Sequence, residues 1–226
     1  MQEKQLAAGI VEGIIQTGIE GTWGDVARST KGDYPSLGIS QWEGVRADGL
    51  LLHIPGGSPY AGRTYSELKQ TGALKPLSCI LSSTAGQRAQ RRELTDDARV
   101  YVKSLLRVPH FQNPECIIYA GMWCPTSTRI VRLFLTNRCL DYDLNNLPCL
   151  HHLFKTQYAK AAGFSTKRDR SLSERHFVVP KSIRADQGCT ICIDVERNVT
   201  QGLDGPVKNV DIFNRKHLTH DQSPPR

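Results

Sequence analysis

No stretch of this chain approaches the roughly 18 to 20 uninterrupted apolar residues that cross a bilayer, so membrane insertion is not expected. A secretory leader is not expected either. After Met1 the apolar segment that starts at Leu6 is broken by Glu12, with neither a basic start nor a continuous apolar core. Export by the general pathway is therefore not expected. Cysteine occurs at 79, 116, 124, 139, 149, 189 and 192, an odd number and mostly in apolar or helix-like contexts. Reduced core thiols are expected rather than a disulfide framework. Cys189 and Cys192 have the spacing of half a zinc site, but no second pair follows and only His217 and His220 lie downstream, so no metal is expected. No internal repeat is present, and strand signals are few.

What is there suits a globular chain. The 226 residues allow one domain of about 150 to 200 residues plus an appendage. Apolar content of 39% and charged content of 23% are ordinary for such a domain. The net charge of +7 favours an anionic partner (nucleic acid, a membrane surface or a teichoic-acid-decorated wall) or serves solubility alone. Arg88, Arg91 and Arg92 share their predicted helix with Glu93, Asp96 and Asp97. That mixture reads as a solvated face, and nucleic acid is not the expected partner.

Leu6, Ile10, Ile14, Ile15 and Ile19 form an apolar stripe that predicts an amphipathic helix over 4–19. Gly18 and Gly21 loosen its end, which puts Glu20 at or just beyond the last turn. Residues 21–35 read as a loop or short hairpin. Residues 36–54 resume a helical pattern and stop at Pro55. Two short segments follow over 64–82, then a charged helix over 86–106. Asn113-Pro114-Glu115 and Cys124-Pro125 each start a helix. Asp143 is placed as the cap of a last helix reaching Ala162 and ending at Gly163. Residues 165–176 are dense in charge and serine and read as a linker to a small appendage.

Glycoside cleavage needs a carboxyl group, set in apolar surroundings, that delivers a proton to the leaving oxygen. Glu20 has that local setting, preceded by Ile14, Ile15 and Ile19 and followed by Trp23. A second element, Tyr34-Pro-Ser-Leu-Gly-Ile-Ser-Gln41-Trp42, comes one loop later. The pairing of a helix-end glutamate with this element resembles the lysozyme-like superfamily: goose-type lysozymes, lytic transglycosylases and phage endolysins. Arg46-Ala47, Leu50-Leu51-Leu52, the Ile117–Ala120 segment and Tyr158–Gly163 extend the likeness over about residues 4 to 163.

The resemblance implies a mainly α (α+β lysozyme-like) fold, a helical bundle around a catalytic cleft with a short loop or hairpin between its first two helices. The catalytic domain would span 1–163 and a linker with a small appendage 164–226. It implies a glycosidase acting on bacterial peptidoglycan, with Glu20 as general acid and no cofactor. Asp25 or Asp33 is a candidate holder of the attacking water; each is also a common turn residue. If neither is suitably placed, a lytic transglycosylase route needs no second carboxylate. Gln41 is a candidate contact for an aminosugar's N-acetyl and hydroxyl groups. Trp42 is a sugar platform or a core residue, and Tyr119 lies opposite Glu20 or in the core. Many members carry Ser directly after the glutamate, whereas this chain has Gly21. The phage likeness implies accumulation in a host cytoplasm before holin-mediated release, or carriage in the virion. The competing readings are a non-catalytic wall-binding or virion protein of the same fold, and a cysteine peptidase or amidase. No cysteine here has the glycine-flanked loop-to-helix setting that the last would use.

Overall fold

The structure, a computed structural model, describes residues 3–18 and 20–162. The linker and appendage expected over 164–226, with Cys189 and Cys192, lie outside the described residues. The described part is mainly helical with one small sheet. None of its helices is long and apolar enough to cross a membrane.

The first helix, α1 (Glu3–Thr17), buries Leu6, Ala7, Ile10, Val11 and Ile14, the face its apolar spacing predicts. It ends where Gly18 adopts φ 55° and donates its N–H to Ile14 O. Three short antiparallel strands follow, β1 (Val26–Arg28), β2 (Pro35–Leu37) and β3 (Trp42–Glu43). Val26 pairs with Leu37, which pairs in turn with Trp42. The helix expected from Ser36 is therefore not formed over its first half. Gly38 and Gln41, at φ 65° and 50°, turn the chain back on itself, and only α2 (Val45–Leu52) is helical. The apolar residues that suggested one long helix are instead shared between a strand pair and a short helix, a case periodicity alone does not resolve.

Helix α3 (Tyr65–Gln70) begins with a capping box, Thr64 Oγ1 accepting from Glu67 N and Glu67 Oε2 from Thr64 N. Helices α4 (Leu74–Ser82) and α5 (Thr84–Leu105) are separated by the cap residue Ser83. Helix α6 (Pro114–Gly121), capped by Asn113, is buried at every position from Cys116 to Gly121 and is the central rod of the core. α1 and α5 pack against it, as do α7 (Cys124–Thr136) and α8 (Leu147–Leu153). The last helix is capped by Asn146 and not by Asp143, because Asn146 Oδ1 accepts from Cys149 N while the Asp143 carboxylate accepts from Asn145 N, ahead of the helix. It runs on through a π-helical turn, Phe154–Tyr158, which seats both of those rings in an aromatic cluster with Trp123 and Phe134.

One polar side chain joins the sheet to the bundle. Gln90 on α5 is fully buried. Its Oε1 accepts from Ile39 N at 3.0 Å, and its Nε2 donates to Trp23 O and Leu81 O, both at 3.0 Å. Every strong hydrogen-bonding direction of the amide but one is thus used. The Gln90→Met variant, close in shape but unable to make these bonds, is expected to lose about 2–5 kcal/mol of stability in a urea titration.

Candidate functional site

The site is built on the bend that follows α1. Glu20 is half-buried there, and its Oε1 accepts a hydrogen bond from the Thr126 hydroxyl at 3.1 Å. Thr126 stands near the start of α7, immediately before Ser127. That serine is extended (φ −174°, ψ 107°) and interrupts the helix. Its Oγ accepts from Ile130 N at 3.3 Å, capping the segment beyond the break.

The next residue, Gly21, is buried in a space that admits no side chain. A Cβ built there would lie 2.7 Å from Gln41 Nε2, 2.8 Å from Gly38 O and 3.0 Å from Asp25 Oδ2. Asp25 and Gln41, both singled out in the sequence, thus approach the residue that follows Glu20. A serine side chain at 21 would have no room, and the hydroxyl that meets Glu20 comes from Thr126.

Gln41 is held in the left-handed region, φ 50°, where a non-glycine residue is uncommon. Its Nε2 donates to Gly38 O at 2.8 Å, and its backbone N–H donates to the same oxygen at 3.1 Å. Ser36 Oγ donates to its carbonyl. Asp25 is a turn residue, and it is also beside Gly21. Its Oδ2 accepts from Thr22 N at 2.8 Å and its Oδ1 from the Thr22 hydroxyl at 2.6 Å. Its carbonyl accepts from Gly38 N, which ties the two sides of the turn together.

The other expected residues lie elsewhere. The Asp33 carboxylate faces Arg28 at 3.4 Å and accepts from Ser66 Oγ at 2.9 Å, fastening the β1–β2 connection to α3. Trp42 is not a sugar platform. It is 2% exposed, and its Nε1 donates to Asp97 Oδ2, an oxygen that also meets Arg46. Its apolar surface is spent on the core because Leu37 pairs with it across the sheet. Tyr119 is 1% exposed on α6, with its hydroxyl 3.0 Å from Nδ1 of His151, and is a core residue.

Tyr101, on the apolar face that the spacing of residues 86–106 predicts, is buried on α5 within electrostatic reach of Glu20. Burial chiefly, then the charges of Asp97, Cys124 and Glu20, push its phenol well above the usual range, with Arg46 opposing them. It therefore stays neutral at physiological pH. A shallow groove of about 200 Å³ between α1 and α5, lined in part by Lys4, Glu12, Arg91 and Arg99, contains none of the candidate residues. Among the described residues no three His, Cys, Asp or Glu side chains converge to hold a metal ion.

The described cysteines are free thiols. Burial, helped by Glu115, Asp143 and Cys149, pushes Cys116 up to about 12, and burial drives Cys124 upward too. Cys149 is raised by the same main cause, with the Asp143 charge adding to it. These three therefore present no thiolate nucleophile at neutral pH.

Two outcomes are expected. Gly21→Ala should lower the unfolding free energy by about 1–3 kcal/mol, because the new methyl group displaces Gln41 or the Gly38 carbonyl. The buried thiols also give stability a pH dependence. An unfolded thiol releases its proton near its ordinary value of 9.0, whereas native Cys116 keeps it to about 12. The unfolded state thus binds fewer protons in that window, and stability falls as pH rises from 9. The urea midpoint at pH 10.5 should lie below that at pH 8.

Compared with protein-family models, with curated proteins and with solved structures, the chain matches none of them.

Proposed function

We propose that this protein is a lysozyme-like glycosidase that cleaves the β-1,4 bond between N-acetylmuramic acid and N-acetylglucosamine in bacterial peptidoglycan. The convergence on Gly21 carries this reading: an oriented glutamate at a helix end, with an aspartate and a glutamine amide beside the following residue. Glu20 donates its proton to the glycosidic oxygen as the bond to the anomeric carbon breaks. Gln41 retains hydrogen-bonding capacity for an N-acetyl group, since a primary amide carries two donors and an acceptor and only one donor direction is taken by Gly38.

The second half-reaction follows one of two routes. In hydrolysis Asp25 takes a proton from water as the water oxygen attacks the anomeric carbon, which suits carboxyl groups about 6.5–9.5 Å apart. The carboxylate keeps lone pairs beyond those directed to Thr22. In transglycosylation the sugar's own 6-hydroxyl attacks and its proton passes to Glu20, so that no water is consumed. Asp33, bound to Arg28 and Ser66, takes no part in either route. The protein acts on the wall after holin-mediated release from a host cytoplasm, or from the virion.

Glu20→Gln, folded by circular dichroism, should clear suspensions of purified walls at least about 100-fold more slowly than wild type. Equal clearing by both proteins overturns the reading in favour of a non-catalytic wall-binding or virion protein. Mass spectrometry of the released muropeptides separates the two routes. With Asp25→Asn, loss of clearing and reducing ends from wild type assign the water to Asp25; retained clearing with anhydro ends assigns transglycosylation. Iodoacetamide should leave clearing unchanged.

A further inference from the structure

We infer that Thr126 is a positioning residue for Glu20, presenting its hydroxyl from a built-in break of α7. This inference rests on the proposed glycosidase reading and adds to it a residue separated from the glutamate by more than a hundred positions in the chain.

The observation is the hydrogen bond from Thr126 Oγ1 to Glu20 Oε1, 3.1 Å long. Glu20 lies past the end of α1, where no helical backbone fixes its direction, and Gly21 supplies no side chain to hold it. A carboxylate on such a bend has several rotamers, and holding one of them against the reacting bond is the geometric requirement of proton delivery. Thr126 meets that requirement from the opposite side of the site.

The local backbone is shaped for this. Pro125, in the first turn of α7, lacks an N–H to donate, and two residues later Ser127 is fully extended. The helix restarts beyond it under a cap of its own, Ser127 Oγ receiving Ile130 N. In an uninterrupted helix a threonine hydroxyl commonly bonds the carbonyl one turn back, as Thr95 does to Arg91 O on α5. The extended residue after Thr126 sets its hydroxyl outside that pattern, and it donates to Glu20 instead. Below it, Cys124 anchors the first turn from the core, fully buried beside α6. The hydroxyl thus comes from a fixed support.

The experiment compares Thr126→Val, which keeps the shape and removes the donor, with Thr126→Ser, which keeps the donor and removes the methyl group. Steady-state kinetics are measured on a soluble glycan oligomer of alternating N-acetylglucosamine and N-acetylmuramic acid, with Glu20→Gln as the reference. Thr126→Val should lower kcat about 10- to 100-fold with KM within about twofold of wild type. Thr126→Ser should restore kcat to within about threefold. Should the valine variant not fold, Thr126→Ala, which adds no bulk, takes its place. Wild-type kcat in Thr126→Val beside an inactive Glu20→Gln overturns this inference and leaves the glycosidase reading intact. So does a folded Thr126→Ser as slow as the valine variant, or an effect on KM alone. Wild-type turnover by Glu20→Gln overturns the glycosidase reading itself.

Discussion

The geometry of the site depends on one buried amide. Gln90 binds a loop, a strand turn and a helix end at once, through Trp23 O, Ile39 N and Leu81 O. The three strands are too short to be stable alone, since a sheet of this size needs a helical surface to pack on. Apolar contact supplies the attraction, through Leu37 and Ile39, but such contact is non-directional and leaves the sheet free to slide. Gln90 limits that freedom, together with the Trp42–Asp97 and Ser66–Asp33 hydrogen bonds, because directional bonds are satisfied in one register only. Leaving any of its partners unpaired in a dry interior costs more than the bond contributes when made, and this asymmetry makes a buried amide a register pin.

From that pin the rest of the turn follows. With Ile39 N fixed, Gly38 must approach α5 so closely that a Cβ there would fall 2.0 Å from Gln90 Oε1. The Gly38 carbonyl is then left facing the chain after α1, where it receives both the backbone N–H and the side-chain Nε2 of Gln41. That double bond to one oxygen holds Gln41 in its left-handed conformation, a strained state of the kind that survives where neighbours over-determine it. The Gly38 N–H goes to Asp25 O and closes the turn from the other side. Gly21 fits between the two, so the spacing between Asp25 and Gln41 is set by the van der Waals width of a bare α-carbon.

Local signals were legible in the sequence where they are local in the structure. The α1 stripe, the Asn113-Pro114 start and the bend at Glu20 each depend on residues within one or two turns of each other. The motif from Tyr34 to Trp42 likewise carries its own turn, and that turn brings the Gln41 amide against Gly21. The region from Ser36 misled because Leu37, Ile39, Trp42 and Leu50 satisfy a helical period while three of them are buried in or beside strands. Asp143 was a reasonable cap by type, and Asn146, immediately before Leu147-Pro148, has the better geometry. Trp42 and Tyr119 carry the same ambiguity in any sequence, since a ring that can stack on a sugar can also fill a core. Gln90 reaches Ile39 across 51 positions and Thr126 reaches Glu20 across 106, and Gln90 sits among Arg88, Arg91 and Arg92 as though on a solvated face. No local pattern marks them.

The hydroxyl that meets Glu20 comes from a distant helix and not from the residue beside it. A hydroxyl carried on the residue after Glu20 would share the same flexible bend, so its hold on the carboxyl would be no firmer than the bend itself. A hydroxyl carried on α7 is referenced to the core through Cys124 and α6, which is buried from Cys116 to Gly121. The donor then constrains the acid relative to the bundle, not merely relative to its own loop. A bare α-carbon at 21 also leaves the space in which the polar atoms of Gln41 and Asp25 lie. A bare α-carbon at 21, a glutamine amide against it and a donor on a distant helix are in this way three parts of one arrangement, and a change in any one of them shifts the space or the support that the others use.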